Sequence, residues 1–363
     1  MKLLVLAQIP PPIHGQSLMV QTLLDALPAA APEIELHHVN LPLSRNNADV
    51  GRWRWGKLLP LAVAIWRVWR LTLRHGRMDL YYVPAPGKRV ALYRDFLLLF
   101  FCRPLATRLI LHWHATGLGH WLQHHAKPFE RGLARRALGR AELSLVLGEA
   151  LRADVAYLHP HRTVVIRNGI ADPFPHWQRR DGPHQRPLHA VFVGACTRAK
   201  GVLAALAGVA EAHRRCPGSV RLTVAGDFDD PATAKAFRAH AARCGAPVDH
   251  IGFATAEAKH HLYAGADVLL FPTRYAAEAH PLVILEALAH DLPLILTDWH
   301  AVPEGLPPAH VHLIPARQRS AVNIADALER VAAAPRPAGA HRQYFLQHYT
   351  RDAFAHRLAE ALR

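Results

Sequence analysis

The sequence predicts an α/β protein built as two Rossmann-like domains facing a cleft. Three observations carry that expectation. The chain has 363 residues, too many for one ordinary core. Short apolar runs alternate with stretches of helical period along nearly all of it, the pattern of parallel sheets covered by helices. The alternation breaks once, over residues 173–187 (PFPHWQRRDGPHQRP), where the chain turns polar and proline-rich before restarting. The expected division is a first domain over 1–172, a linker over 173–187, a second domain over 188–340, and a C-terminal helix over 341–363 packing back on the first domain.

In the first domain, residues 2–7 (KLLVLA) read as a buried strand. The loop PPPIHGQS follows, and SLMVQTLLDAL has helical period. Further strands are expected at 34–40, 79–83, 108–112, 143–147 and 163–166. In the second domain they are expected at 190–193, 220–225, 248–251, 267–271 and 293–297, with helices starting near 201, 231, 256 and 281.

Half the residues are hydrophobic (51%), which excludes a disordered chain. The formal net charge is +15. It is uneven: residues 1–172 hold 22 Lys and Arg against 11 acids, and the remainder 21 against 17. A basic first half suits an anionic partner. The four cysteines (Cys102, Cys196, Cys216, Cys244) show no paired spacing, which fits reduced thiols rather than a disulfide scaffold. The opening apolar run is too brief for a signal-peptide core. Runs 58–66 and 96–102 fall short of the roughly 18 residues a spanning helix needs. A cytoplasmic protein is expected, soluble or peripheral on the inner face of the membrane.

Four segments carry chemistry. In YAAEAHPLVILEALAHD (275–291), Pro281 suits the first turn of a helix, where its missing N–H costs nothing. His280 or Ala279 would precede that helix. The N–H groups of Leu282 and Val283 would then be open donors for a phosphate. Glu286 lies one turn deeper on the same face as Leu282, where it can accept from a ribose diol. Glu278 sits in the preceding loop. Two carboxylates in so apolar a run are either solvated or paired with arginines, or find their partners in a ligand, since unpaired burial is costly. In VFVGACTRAKGVL (191–203), a strand ends at Gly194 and a basic loop offers Arg198 and Lys200 to a diphosphate. The spacing is not that of a Walker A loop. In PPPIHGQS (10–17), Gly15 lets backbone approach a ligand and Ser17 is expected to cap the next helix. In LHWHATG (111–117), His114 falls just past a strand. His112 and His114 are read as pointing to opposite faces, which argues against a shared metal. Asp227-Phe228-Asp229 is read as a polar turn rather than a metal clamp.

Taken in order, these segments resemble the retaining glycosyltransferases of family 4, the group 1 transferases of the GT-B fold. The matching motifs are HGQS, WHA, VIRNGI, G-x5-KG, and EAHPLVILEALAHDLPLILT, and they span nearly the whole chain. The resemblance implies a nucleotide-sugar donor (UDP-, GDP-, ADP- or dTDP-linked) held mainly by the second domain. Arg198 and Lys200 would grip the diphosphate, Glu286 the ribose, and backbone at Gly252 and Phe253 the base. Glu278 and His114 would be the catalytic contacts to the sugar, with His280, Leu282, Val283 and the Gly15 loop completing the donor site. The chain departs from the family at Ala195, where relatives carry Arg, so that Arg198 takes over the charge. It departs again at His300-Ala301, where relatives carry Gly-Gly. No metal and no further cofactor is expected, and no protein nucleophile.

The implied acceptor is a saccharide or lipid-linked saccharide of cell-envelope polysaccharide or lipopolysaccharide synthesis. Residues 52–77 contain seven Lys and Arg and no acid. On a helix, Arg67, Arg70, Arg74 and Arg77 share a face, with Ala62, Ile65, Trp69 and Leu73 expected opposite and Trp66 nearby. An anionic membrane surface is one reading, and a helix packing its apolar side on the sheet is the other. Alternatives for the whole chain are a nucleotide-sugar epimerase of similar fold and a non-catalytic carbohydrate- or nucleic-acid-binding protein. No nucleic-acid motif supports the last of these, and no nucleic-acid partner is expected.

Overall fold

The computed structural model describes residues 1–42, 58–85, 89–176, 178, 182–184 and 186–363. Residues 52–57 of the basic stretch and residues 177, 179–181 and 185 of the linker lie outside the described residues. The chain divides into two units, Met1–Gly169 with Arg351–Arg363, and Ile170–Thr350.

In the first unit the order is β1 (Lys2–Ala7), α1 (Gly15–Ala30), β2 (Glu35–Asn40), α2 (Leu58–His75), β3 (Met78–Tyr82), α3 (Arg89–Cys102), β4 (Ala106–Trp113), α4 (Leu118–His124), α5 (Pro128–Ala137), β5 (Leu143–Val146), α6 (Ala150–Ala156) and β6 (Arg162–Val165). The strands form one parallel sheet in the order β2-β1-β3-β4-β5-β6. Its central strands are buried on both faces, which is why they read as unbroken apolar runs. The strand order reverses between β1 and β3, the place where such sheets open a ligand crevice at their carboxyl edge.

The second unit runs β7 (Leu188–Val193), α7 (Val202–Arg215), β8 (Val220–Ala225), α8 (Pro231–Ala241), β9 (Val248–Gly252), α9 (Ala256–Ala264), β10 (Val268–Phe271), α10 (Leu282–Ala289), β11 (Leu294–Asp298), β12 (Val311–Pro315), α11 (Ala321–Ala333) and α12 (Ala340–His348). Its parallel sheet has the order β12-β11-β10-β7-β8-β9, so the reversal lies between β7 and β10. Every residue of β7 and β10 is buried. β12 was not expected; its VHLIP is a partly exposed edge strand whose signal is faint.

The stretch 341–363 is two helices, α12 and α13 (Arg351–Leu362). Between them Tyr349 and Thr350 turn aside to pair with Ile170, which ends the helical ladder. Asp291 fixes the start of α12, its carboxylate accepting from the N–H groups of Gly339 and His341 at 2.7 and 3.1 Å. α13 packs on α1 within the first unit, burying Phe354, Leu358 and Leu362. Arg108 and Arg162 donate to the carbonyls of Leu362 and Ala361, satisfying the open end of that helix.

Two helix starts differ from expectation. Ser17 is not the cap of α1. His14 holds that place, its Nδ1 accepting from Ser17 N while Ser17 Oγ accepts from His14 N, both at 3.2 Å. Pro281 is itself the cap of α10, one residue outside the helix. In α2 the face that packs inward is Leu61, Ala64 and Val68, not Ala62, Ile65, Trp69 and Leu73. The two tryptophans and Leu73 are left outside.

Candidate active site

In the second unit, the loops after β7, β8, β9 and β10 meet at the carboxyl edge of the sheet. Two glycines make the approach there close. Gly226 has φ +140°, and a Cβ on it would lie 1.9 Å from the carbonyl oxygen of Gly194. Gly201, just before α7, has φ +91°, and a Cβ there would lie 2.3 Å from the Pro272 carbonyl oxygen. Both positions therefore require glycine. Past the sheet proper the loops stay bonded to one another: Gly194 N donates to Ala225 O at 2.9 Å, Cys196 N to Asp227 O at 2.8 Å, and Gly226 N to Gly252 O at 2.7 Å.

On this floor stands the loop after β7. Lys200 Nζ reaches Glu278 Oε2 at 3.1 Å, and Thr273 Oγ1 donates to the same oxygen at 3.1 Å. The ammonium also lies over the rings of Phe271 and Tyr275, at 5.6 and 5.3 Å. Glu278 is buried and Lys200 half-buried, so this pair is shielded from salt. Arg198 is exposed and makes no ion pair among the described residues. Arg274 N donates to Ala199 O at 2.7 Å, which ties the loop after β10 to this one, while the Arg274 guanidinium lies over the Trp299 ring at 5.9 Å.

The second carboxylate has its own partners. Glu286 receives Lys259 Nζ on Oε1 and the Tyr263 hydroxyl on Oε2, the latter at 3.0 Å. Burial and the adjoining Glu286 charge hold the Tyr263 phenol well above its usual range, so it stays a donor. Behind them His290 packs against Phe174 and His260, and burial lowers its pKa to about 4.

The expectation that a ligand supplies the partners of both glutamates is thus corrected: each is already neutralised by a lysine of the chain. The reason is cost, since a buried lone carboxylate would destabilise the unliganded fold by several kcal/mol, about 3–5. Sequence reading missed Lys259, Tyr263 and Thr273. The i, i+4 spacing of Lys259 and Tyr263 on α9 was the available signal.

The remaining donor-site residues fall as follows. No side chain caps α10, whose first residues Leu282 and Val283 are half-buried. His280 is buried with its ring 5.4 Å from that of Tyr349. Gly252 closes β9 with φ +69°, and Phe253 beside it is exposed. His300 adopts φ +50°, the left-handed conformation a glycine would take without strain, and Ala301 is fully buried. Asp230 caps α8, and Asp227-Phe228-Asp229 forms the turn before it. Among the described residues, that turn does not bring three metal-ligating atoms together.

In the first unit, Gly15 opens α1 with empty space where a Cβ would stand. His114 follows β4, and its pKa falls to about 3 through burial and the proximity of His14. It is therefore a neutral imidazole at pH 7. The rings of His112 and His114 lie 4.1 Å apart. The expectation of opposite faces is wrong, because residues two apart on a strand share a face. His112 is nonetheless engaged, its Nδ1 bonded to the Tyr81 hydroxyl.

Residues 187–334 match the family described as "Glycosyl transferases group 1". That match lies within the second unit, and the two sheets with their helices share the GT-B fold of the similar solved structures. Similar solved structures include a sucrose-phosphate synthase from Thermosynechococcus elongatus, at TM-score 0.70 and 16% identity over 100% of this chain and 98% of that one. Anabaena Alr3699/HepE in complex with UDP-glucose aligns at 0.66 and 17%, over 100% and 99%. A trehalose-6-phosphate protein from E. coli bound with UDP-2-fluoro glucose aligns at 0.69 and 13%, over 100% and 99%. No curated protein matches the sequence.

Proposed function

We propose that the chain is a retaining hexosyl-type glycosyltransferase, moving a sugar from a nucleoside-diphosphate donor to a saccharide or lipid-linked saccharide in cell-envelope polysaccharide synthesis. The observation that carries this reading is the set of cations and paired carboxylates at the β7/β10 reversal, inside the segment that matches the group 1 family. Two of the similar structures hold UDP-glucose or its 2-fluoro analogue.

The chemistry follows from the charges. Breaking the bond between sugar and diphosphate develops negative charge on the departing oxygen and positive charge on the sugar. Lys200, with Arg198 on the same loop, supplies a positive field where the diphosphate sits. Electrostatic stabilisation of this kind is usually the largest catalytic contribution. The uncapped N–H groups of Leu282 and Val283 add donors to the same phosphates. Glu286, held on both oxygens by Lys259 and Tyr263, keeps lone pairs for a ribose diol. Glu278, already bonded to Lys200 and Thr273, is oriented toward the sugar rather than freed as a nucleophile. The acceptor hydroxyl then attacks from the face the diphosphate leaves and passes its proton to the departing phosphate oxygen, which retains the anomeric configuration without a covalent enzyme intermediate. His114, neutral at working pH, contributes hydrogen bonds and no charge. Neither metal nor further cofactor has a part in this scheme.

A thermal-shift screen of UDP-, GDP-, ADP- and dTDP-sugars tests it, because a ligand bound only by the folded state raises the melting point. One donor should raise it clearly, and Lys200→Ala and Glu286→Ala should abolish that rise. A flat response to all four would sink the proposal. Product NMR then reads the anomeric configuration, and inversion would overturn the retaining assignment.

A further inference from the structure

We infer that the exposed face built by α2 and α3 docks the protein onto an anionic lipid bilayer, a partner the donor chemistry does not require. α3 reads RVALYRDFLLLFFC. Its inward side chains are Leu92, Phe96, Leu98, Leu99 and Cys102, yet the outward ones are also apolar: Tyr93, Leu97, Phe100 and Phe101. A helix on a water-facing surface carries polar residues outside, and beyond Arg94 the outward face of α3 has none. α2, which packs beside it, repeats the pattern: Trp66 is 57% exposed, Trp69 46% and Leu73 83%. Between the two helices, Ile65, Trp66, Trp69, Leu73 and Phe101 line an apolar groove of about 560 Å³. Scattered exposed apolar residues need no explanation, but large apolar side chains gathered on the outward faces of two adjoining helices mark an interaction surface.

Charge selects the occupant. α2 carries no acid, and Arg67, Arg70 and Arg74 are exposed along it without an ion-pair partner among the described residues. Arg70 stacks on Trp66 at 5.0 Å, which ties the basic rim to the apolar floor. The arginines of α3 are already committed, Arg89 to Glu130 and Arg94 to Asp95, so the free charge belongs to α2. A second copy of this face would bring like charges together. An anionic bilayer instead offers headgroups to the arginines and an interfacial region to the tryptophans. Among the described residues no helix is long and apolar enough to cross a membrane, so the helices lie in its surface.

The test is flotation of the full chain with vesicles of phosphatidylcholine containing a third phosphatidylglycerol, against phosphatidylcholine alone. The chain should float with the anionic vesicles and release at high salt. Arg67→Glu with Arg70→Glu and Arg74→Glu should cut binding about tenfold or more. Trp66→Ser with Phe100→Ser should do the same, and Leu73→Ser, at the most exposed position, repeats the test with the least burden on folding. The thermal shift with a nucleotide-sugar is measured in parallel and should be unchanged, which separates failure here from failure of the transferase reading. No flotation by the wild-type chain at low salt would overturn the inference. So would variants that float as well as wild type, or a wild-type dimer that the apolar variants turn into monomers.

Discussion

The two units share an architecture and use charge in opposite ways. In the second, the cations and carboxylates gather at the strand ends and pair with each other: Lys200 with Glu278, Lys259 with Glu286. In the first, the strand ends carry His14 and His114, both held toward the neutral form by burial, and the unpaired arginines stand outside on α2. The lesson is that net charge does not locate a site. The more basic half of the chain has the less charged mouth.

The largest expected effect sharpens that contrast. Lys200→Ala should lower kcat/KM about 10²–10³-fold, as removal of one preorganised stabilising group does, and should lower stability as well by stranding the buried Glu278 carboxylate. The α2 arginine reversals should leave the donor-induced thermal shift intact. Equal losses of that shift in both would break the comparison. Next, Gly226→Ala should destabilise by about 3 kcal/mol, since its new Cβ must clear a carbonyl at a φ side chains rarely adopt; the urea midpoint reads this directly. Third, His114 and His290 titrate in the fold at about 3 and about 4, below the ordinary 6.5. With folded values depressed, the unfolded chain binds more protons between those limits. Stability is therefore full above 6.5 and falls as pH drops toward 4, by up to about 1.4 kcal/mol per pH unit for each histidine. Denaturation of His114→Gln and His290→Gln across that window should show each unit losing its own share of the slope. The smallest effect is Ser17→Ala, which removes one half of the reciprocal cap on α1 and should cost about 1 kcal/mol.

Much of the fold was legible because buried parallel strands must be continuous apolar runs, and β1, β7 and β10 are. β12 was not, because an edge strand need satisfy only one side. The positions of Lys200, Glu278 and Glu286 could be read from motif spacing, but their pairing could not. Lys200 and Glu278 are far apart in sequence and meet only because the loops after β7 and β10 are neighbours at the strand reversal. The outward turn of Trp66 and Trp69 was hidden for another reason: α2 has three stripes, and period alone cannot say which of two apolar ones the sheet accepts.

The amide ladder that runs past the sheet, from Gly194 through Gly226 to Gly252, has one more consequence. On the proposed function, a nucleobase docked there would meet main chain that is already immobilised. Little entropy would be lost in shaping its site, and discrimination between bases would come from fixed carbonyl and N–H positions rather than from a side chain that swings to suit. Exchanging one base preference for another would thus demand re-routing of backbone, which few single substitutions accomplish.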